Sequence, residues 1–327
     1  MPMMTYREAV RQALREELLF DERVYLIGED IAEFGGSLKV TLGLIDEFGP
    51  KRIRNTPLSE IAILGAAVGS AATGARPIVE IMFSDFIGLA MDPIFNQAAK
   101  MRYMFGGKLS IPLTIRAPMG GRRAAAAHHS QCLEAWFMHV PGLKIAIPSN
   151  AYDAKGLLKT AVRDPNPVIV FENKMLYNAS DDVPDEPYFI PYGVARVVRQ
   201  GTDVTIVAIS DMVDYAIKAA DALATEEISV EIIDPRTIAP LDTNTIVESV
   251  RKTGKLVIAH EACLTGGIGA EVAAQVGYRA FSYLEAPIER VAAKDSPIPF
   301  SPILEKEILP DDANVIDAVH RVMDYVI

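Results

Sequence analysis

The stretch AAAAHHSQCLEAW, residues 124–136, sets two histidines side by side in a chain that has five. Imidazole titrates near neutral pH and can donate, accept or carry a proton. Ser130 is placed to cap a helix begun by QCLEAWFMHV, which puts His128 and His129 just outside a helix N-terminus, where a neutral ring is favoured. A pair of ordinary loop histidines fits the same pattern. A second candidate is Glu60 in NTPLSEIAI (55–63). Either it complements a helix dipole, or it is an acid at the edge of an apolar pocket, where burial raises its pKa and lets it exchange protons near neutrality. A third is the glycine turn TGGIGAEV (265–272). It has the outline of a dinucleotide fingerprint, but Val272 stands where the third glycine belongs. Glu285 and Glu289 lie near the distance of a ribose-binding acid, and neither clearly ends a paired strand. A nicotinamide-dependent dehydrogenase using Gly267 and Gly269 is thus weighed against a plain strand-to-helix turn. The two cysteines, Cys132 and Cys263, form neither a CxxC nor a zinc set and read as small buried hydrophobes.

The elements that must position these residues are well marked. TYRE (5–8) is a capping box, followed by Tyr6, Ala9, Val10, Ala13, Leu14 and Leu18 at helical spacing. SEIAILGAAVGSAATGARP (59–77) is apolar or small on every side, which predicts a buried helix; Gly65 and Gly69 inside it call for a packing reason. DPIFNQAAKMRYMFGG reads as a helix with Asp92 as cap. Strands are predicted at 23–30, 77–83, 112–118, 143–149 and 167–173, alternating with helices. Near-continuous Val/Ile runs of this kind mean a parallel sheet covered on both faces. The acidic, proline-bearing stretch at 181–192 reads as a linker. A second α/β unit follows, with strands at 203–210, 229–237 and 255–262 and helices near 212–226, 241–252 and 267–276.

The 327 residues, half of them hydrophobic and 23% charged, suit two globular domains. A net charge of −11 argues against a nucleic-acid or anionic-membrane binder. No apolar run approaches the roughly 20 residues of a membrane helix. The N-terminus lacks a signal-peptide pattern, so a cytoplasmic or other internal location is expected.

RIRNTPLSEIAILGAAVG, RPIVEIMFSDFIG, NQAAKMRYMFGG, AHHSQCLEAWFMHVPGLKIAIPSNAYDAKGLL, RDPNPVIVFENKMLY and VEIIDPRTIAPLD together resemble one family: the beta subunit of the thiamine-diphosphate-dependent first component of 2-oxoacid dehydrogenase complexes. It includes pyruvate, branched-chain 2-oxoacid and acetoin dehydrogenases, and the likeness runs from about residue 4 to the C-terminus. The resemblance implies a two-domain transketolase-like α/β fold. A pyrimidine-binding domain would span 1–180 and a transketolase C-terminal domain 193–327, each a mainly parallel sheet flanked by helices. It implies a heterotetramer of two alpha and two beta subunits, with the alpha subunit holding the diphosphate and Mg²⁺. The chain has no GDG followed by paired asparagines, the motif that thiamine diphosphate enzymes use for that half. Carried over residue by residue, Glu60 would bond the aminopyrimidine ring nitrogen and drive proton exchange through the cofactor. Phe86 would stack on the ring, and Leu58 and Met82 would line its pocket. His129 would handle intermediates and acyl transfer to the lipoyl group of the acyltransferase component.

Two departures stand out. His128 takes the place where the family usually has glutamine, and Arg122 and Arg123 stand where small residues are commoner. AVRDPNP matches a potassium-binding turn of some members, with carbonyls of Ala161, Val162 and Asp164 together with Asn166 and Leu113; a plain turn fits equally. MFSDFIG, KMRYMFGGK and YDAKGLL are closest to acetoin dehydrogenase and HEACLTGG to branched-chain members, so the substrate stays open.

Overall fold

The computed structural model describes residues 2–326. Contacts divide the chain into two units, Met1–Met119 with Trp136–Tyr192, and Gly120–Ala135 with Gly193–Ile327.

In the first unit, strands β1 (Val24–Gly28), β2 (Ile53–Asn55), β3 (Arg76–Glu80), β4 (Thr114–Met119), β5 (Lys144–Ala146) and β6 (Val168–Asn173) lie in the order β5-β6-β4-β3-β1-β2. Every neighbouring pair is parallel. Helix α1 (Tyr6–Phe20) starts where the capping box places it: the Glu8 N–H donates to Thr5 Oγ1, and the Thr5 N–H donates to Glu8 Oε2 at 2.9 Å. Its apolar stripe, Tyr6 to Leu18, enters a core shared with Leu157, Leu158 and Val162 of α3 (Ala151–Arg163). The proline-bearing segment packs onto α3 as well: Tyr188 Oη donates to Tyr152 O at 2.7 Å, and Tyr192 Oη to Leu157 O at 3.1 Å.

Helix α2 (Glu60–Ala72) departs from expectation. Ile63, Leu64, Ala67, Val68 and Ala71 are buried, but Ile61, Ala62, Gly65, Ala66 and Gly69 are open to solvent. A Cβ added at Gly65 or Gly69 would meet nothing within 4 Å, so nothing within this chain explains the two glycines. Asp92 does not act as a cap either. It lies inside a wide-turn segment, Asp92–Ala98, where its carboxylate accepts from Asn96 at 2.7 Å.

In the second unit, β7 (Arg196–Arg199), β8 (Val204–Ala208), β9 (Val230–Asp234), β10 (Leu256–Cys263) and β11 (Glu289–Ala293) form a five-stranded sheet ordered β11-β10-β8-β9-β7. It is parallel except for the edge strand β7. Helices α4 (Met212–Ala224), α5 (Thr243–Thr253), α6 (Ile268–Arg279) and α7 (Asp312–Met323) accompany it, with α4 and α7 sharing its core. Among the described residues, no helix is long and apolar enough to cross a membrane.

Candidate active site

In an open parallel sheet the chemistry gathers beyond the carboxyl ends of the strands. β3, β1 and β2 are neighbours, with Gly28 in register with both Glu80 and Asn55. The residues just past those three ends are Glu29 after β1, Leu58 and Glu60 after β2, and Met82 and Phe86 after β3. All four carried-over cofactor residues therefore follow adjacent strand ends. Leu58 is 80% exposed, while Glu60, Met82 and Phe86 are half-buried. Phe86 meets Phe83 edge-on, with centroids 6.0 Å apart.

Glu29 was not singled out from the sequence. It is buried, its Oε1 has no hydrogen-bond partner, and burial followed by the nearby Glu60 charge raises its pKa, against a hydrogen bond from the Ser59 N–H. The only signal in the sequence is an acid near the end of a predicted strand, in LIGED. The site thus pairs two carboxylates, one dry and one at the mouth, beside Met82 and an aromatic. That donor set fits a flat, protonatable heteroaromatic ring, since one acid favours the protonated form of a ring nitrogen and the apolar residues offer the faces.

The histidine loop belongs to the second unit. The helix expected from Gln131 starts only at Glu134 and spans five residues, Glu134–Met138. Ser130 Oγ is buried and caps nothing. Backbone at positive φ in Arg122, Ala124 and Ala126 steers the preceding chain away from helix, and the His129 N–H reaches Ala126 O at 3.4 Å. The helix-dipole argument for the histidines therefore fails. Instead, His128 and its neighbours Ala127, Ser130, Gln131 and Cys132 line a cavity of about 390 Å³, closed by Glu261, Cys263, Ile298 and others. His128 is exposed and His129 half-buried. The two cysteines are not core residues: Cys132 is half-buried, Cys263 is exposed, and both face this cavity. Beside it, the Glu134 carboxyl is pushed up to about 7 by burial, reinforced by Glu261, and its Oε2 has no hydrogen-bond partner.

The glycine turn has a structural cause. A Cβ on Gly267 would lie 2.5 Å from His260 Cε1, and one on Gly269 2.8 Å from His260 Nε2. The imidazole of β10 fills the space above this turn; burial, then Arg290, holds its pKa down to about 4. The acids proposed for a ribose are engaged elsewhere, Glu285 with Lys255 and Glu289 with Arg321, each at 2.8 Å. The nicotinamide reading is not supported.

At the potassium turn, the proposed oxygens of Leu113, Ala161, Val162 and Asn166 each accept a hydrogen bond. Val162 O takes Arg76, Asn166 Oδ1 takes Arg102, and Leu113 O takes the Val168 N–H, at 2.9–3.0 Å. Ala161 O takes the Asp164 N–H at 3.1 Å, and the Asp164 carboxylate takes Lys144 and Asn166. Three cationic side chains, Arg76, Arg102 and Lys144, reach this turn.

Two family models divide the chain. Residues 2–180 match the transketolase pyrimidine binding domain and 193–315 the transketolase C-terminal domain. The pyruvate dehydrogenase E1 component subunit beta of Rickettsia felis is 49% identical over 322 residues, 98% of this chain and 99% of that protein. The chain belongs to this beta-subunit family. Another member, the acetoin:2,6-dichlorophenolindophenol oxidoreductase subunit beta of Bacillus subtilis, is 44% identical over 96% of this chain and 95% of its own. A solved split-gene transketolase, described as an inactive beta4 tetramer, superposes with a TM-score of 0.80 at 25% identity and 98% coverage of each chain. As a family member, this beta subunit is an oxidoreductase component with a transketolase-type fold and thiamine diphosphate chemistry.

Proposed function

We propose that this beta subunit holds the aminopyrimidine end of thiamine diphosphate with Glu60, Phe86, Met82 and Leu58, and that Glu29 completes the set. The observation that carries the reading is the Glu29–Glu60 pair past neighbouring strand ends. When bound, thiamine diphosphate supplies the carbon nucleophile and electron sink for cleaving the bond beside a carbonyl. Glu60 shares a proton with the pyrimidine ring nitrogen. Glu29 keeps a second, buried carboxyl next to Glu60. Phe86 offers its face to the ring. His129 exchanges a proton with the substrate-derived oxygen and with the arriving lipoyl sulfur.

The working unit in this reading is two alpha and two beta subunits, with diphosphate and Mg²⁺ on the alpha side and a lipoyl acyltransferase as acceptor. The open face of α2 supports a partner: Ile61, Gly65 and Gly69 present an apolar, close-approach surface next to Glu60. Pyruvate-like 2-oxo acids and acetoin are the substrate classes, on the likeness to the two named relatives. The location is an internal compartment. A nicotinamide has no role in it.

The test is Glu60→Gln, co-expressed with its alpha subunit and assayed with pyruvate and acetoin. The complex should assemble normally and lose about 10³-fold or more in turnover. Turnover at the wild-type rate would overturn the reading.

A further inference from the structure

The histidine loop is bent in an unusual way. Arg122, Ala124 and Ala126 sit at φ of +65°, +50° and +61°, in a region that costs a non-glycine residue about 1 kcal/mol or more. Such a backbone persists only where its surroundings hold it. Here the hold is explicit. The Gly121 N–H donates to the Glu261 carboxylate. The N–H groups of Arg122 and Ala124 donate to the two oxygens of Glu305, at 2.8 and 3.0 Å. The Arg122 side chain turns inward: Nε donates to Asp211 Oδ2 at 3.1 Å, Nη2 to Pro310 O at 2.5 Å, and the guanidinium lies 4.5 Å from the Tyr215 ring centre. Asp211, Glu261 and Glu305 are each 5% exposed or less. Arg122 brings a cation to a dry group of acids, and those acids grip the first turn of the loop. His128 and His129 follow six and seven positions on.

We propose that Arg122 is a positioning residue, which with Asp211 and Glu305 locks the loop so that the histidine end keeps a fixed place over its cavity. This rests on the role given to His129 above. It goes further by assigning a task to Arg122. Lysine would not serve equally, since a single ammonium cannot reach Asp211 and the Pro310 carbonyl while lying over Tyr215.

The test uses the assembled alpha–beta complex with Arg122→Ala, Arg122→Lys and Glu305→Gln, because the alanine variant alone risks misfolding. Hydrogen exchange reads the loop directly, and steady-state kinetics read its use. In Arg122→Ala, amides 121–129 should exchange about tenfold faster, with the sheet amides unchanged. Its kcat should fall about tenfold, while KM and cofactor affinity stay within about twofold. Arg122→Lys and Glu305→Gln should fall between the alanine variant and wild type in both readouts. Unchanged exchange would overturn the clamp, and faster exchange with unchanged kcat would overturn its role in turnover. His129→Ala is run alongside: wild-type turnover there would refute the histidine's role, while exchange still judges the clamp.

Discussion

Each unit sets an arginine among buried acids, and the two clusters differ in how completely the acids are bonded. In the first unit, all three guanidinium nitrogens of Arg116 end on carboxylates: Nη1 on Glu80 at 2.5 Å, Nε and Nη2 on the two oxygens of Glu172 at 2.7 Å. Tyr177 Oη adds a further donor to Glu172. Burial works against the charge on Arg116, but Glu172 and Glu80 more than offset it and raise its pKa further. In the second unit, Arg122 faces Asp211, Glu261 and Glu305, with Glu134 close behind. Burial and Glu261 push Asp211 well up, and Asp211 and Glu134 each keep an oxygen with no partner. The first cluster ties strands β3, β4 and β6 together. The second holds a loop in place, and part of its charge is left to titrate.

Three experiments sharpen that contrast. The largest effect is expected at Arg116. Arg116→Met strands two buried carboxylates and should cost about 3–5 kcal/mol, read as a large drop in the urea midpoint or loss of folded protein. A cost under about 1 kcal/mol would mean that the cluster is not structural. Next is Glu134→Gln. The folded-state pKa, about 7, lies above the ordinary 4.5. The folded chain therefore holds that proton more tightly than the unfolded one, and its contribution to stability declines as pH rises from 4.5 through 7. Glutamine mimics the protonated acid. The variant should match wild type near pH 4.5 and exceed it by up to about 3 kcal/mol at pH 8, measured by urea denaturation across pH. Parallel curves would show that Glu134 titrates normally. The smallest effect belongs to Tyr177→Phe, which removes one donor from Glu172 and leaves both of its bonds to Arg116 in place. It should cost about 1 kcal/mol, the same at pH 6 and pH 8.

Legibility followed the range over which a feature is determined. Helix α1, eight of the strands and helices α4, α5 and α6 were visible because caps and apolar periodicity are local, whereas the short or edge strands β2, β7 and β11 and helix α7 were not predicted. Glu60 was visible as a choice between two roles, since its helix position is local but its neighbour Glu29 lies across a strand pairing. The clamp was out of reach: Arg122 meets Asp211 and Glu305 at separations of 89 and 183 residues. The late helix start after His129 was missed because alanines at positive φ leave no mark in composition. Gly267 and Gly269 looked like a nucleotide turn because their real neighbour, His260, is adjacent only in the fold.

The glycine-lined outer face of α2 also bears on how such a chain must be made. A surface this apolar and smooth is an adhesive until covered. In the proposed alpha–beta assembly its supply has to match that of its counterpart. Folding yield in a cell then depends on the ratio of two gene products as much as on either sequence.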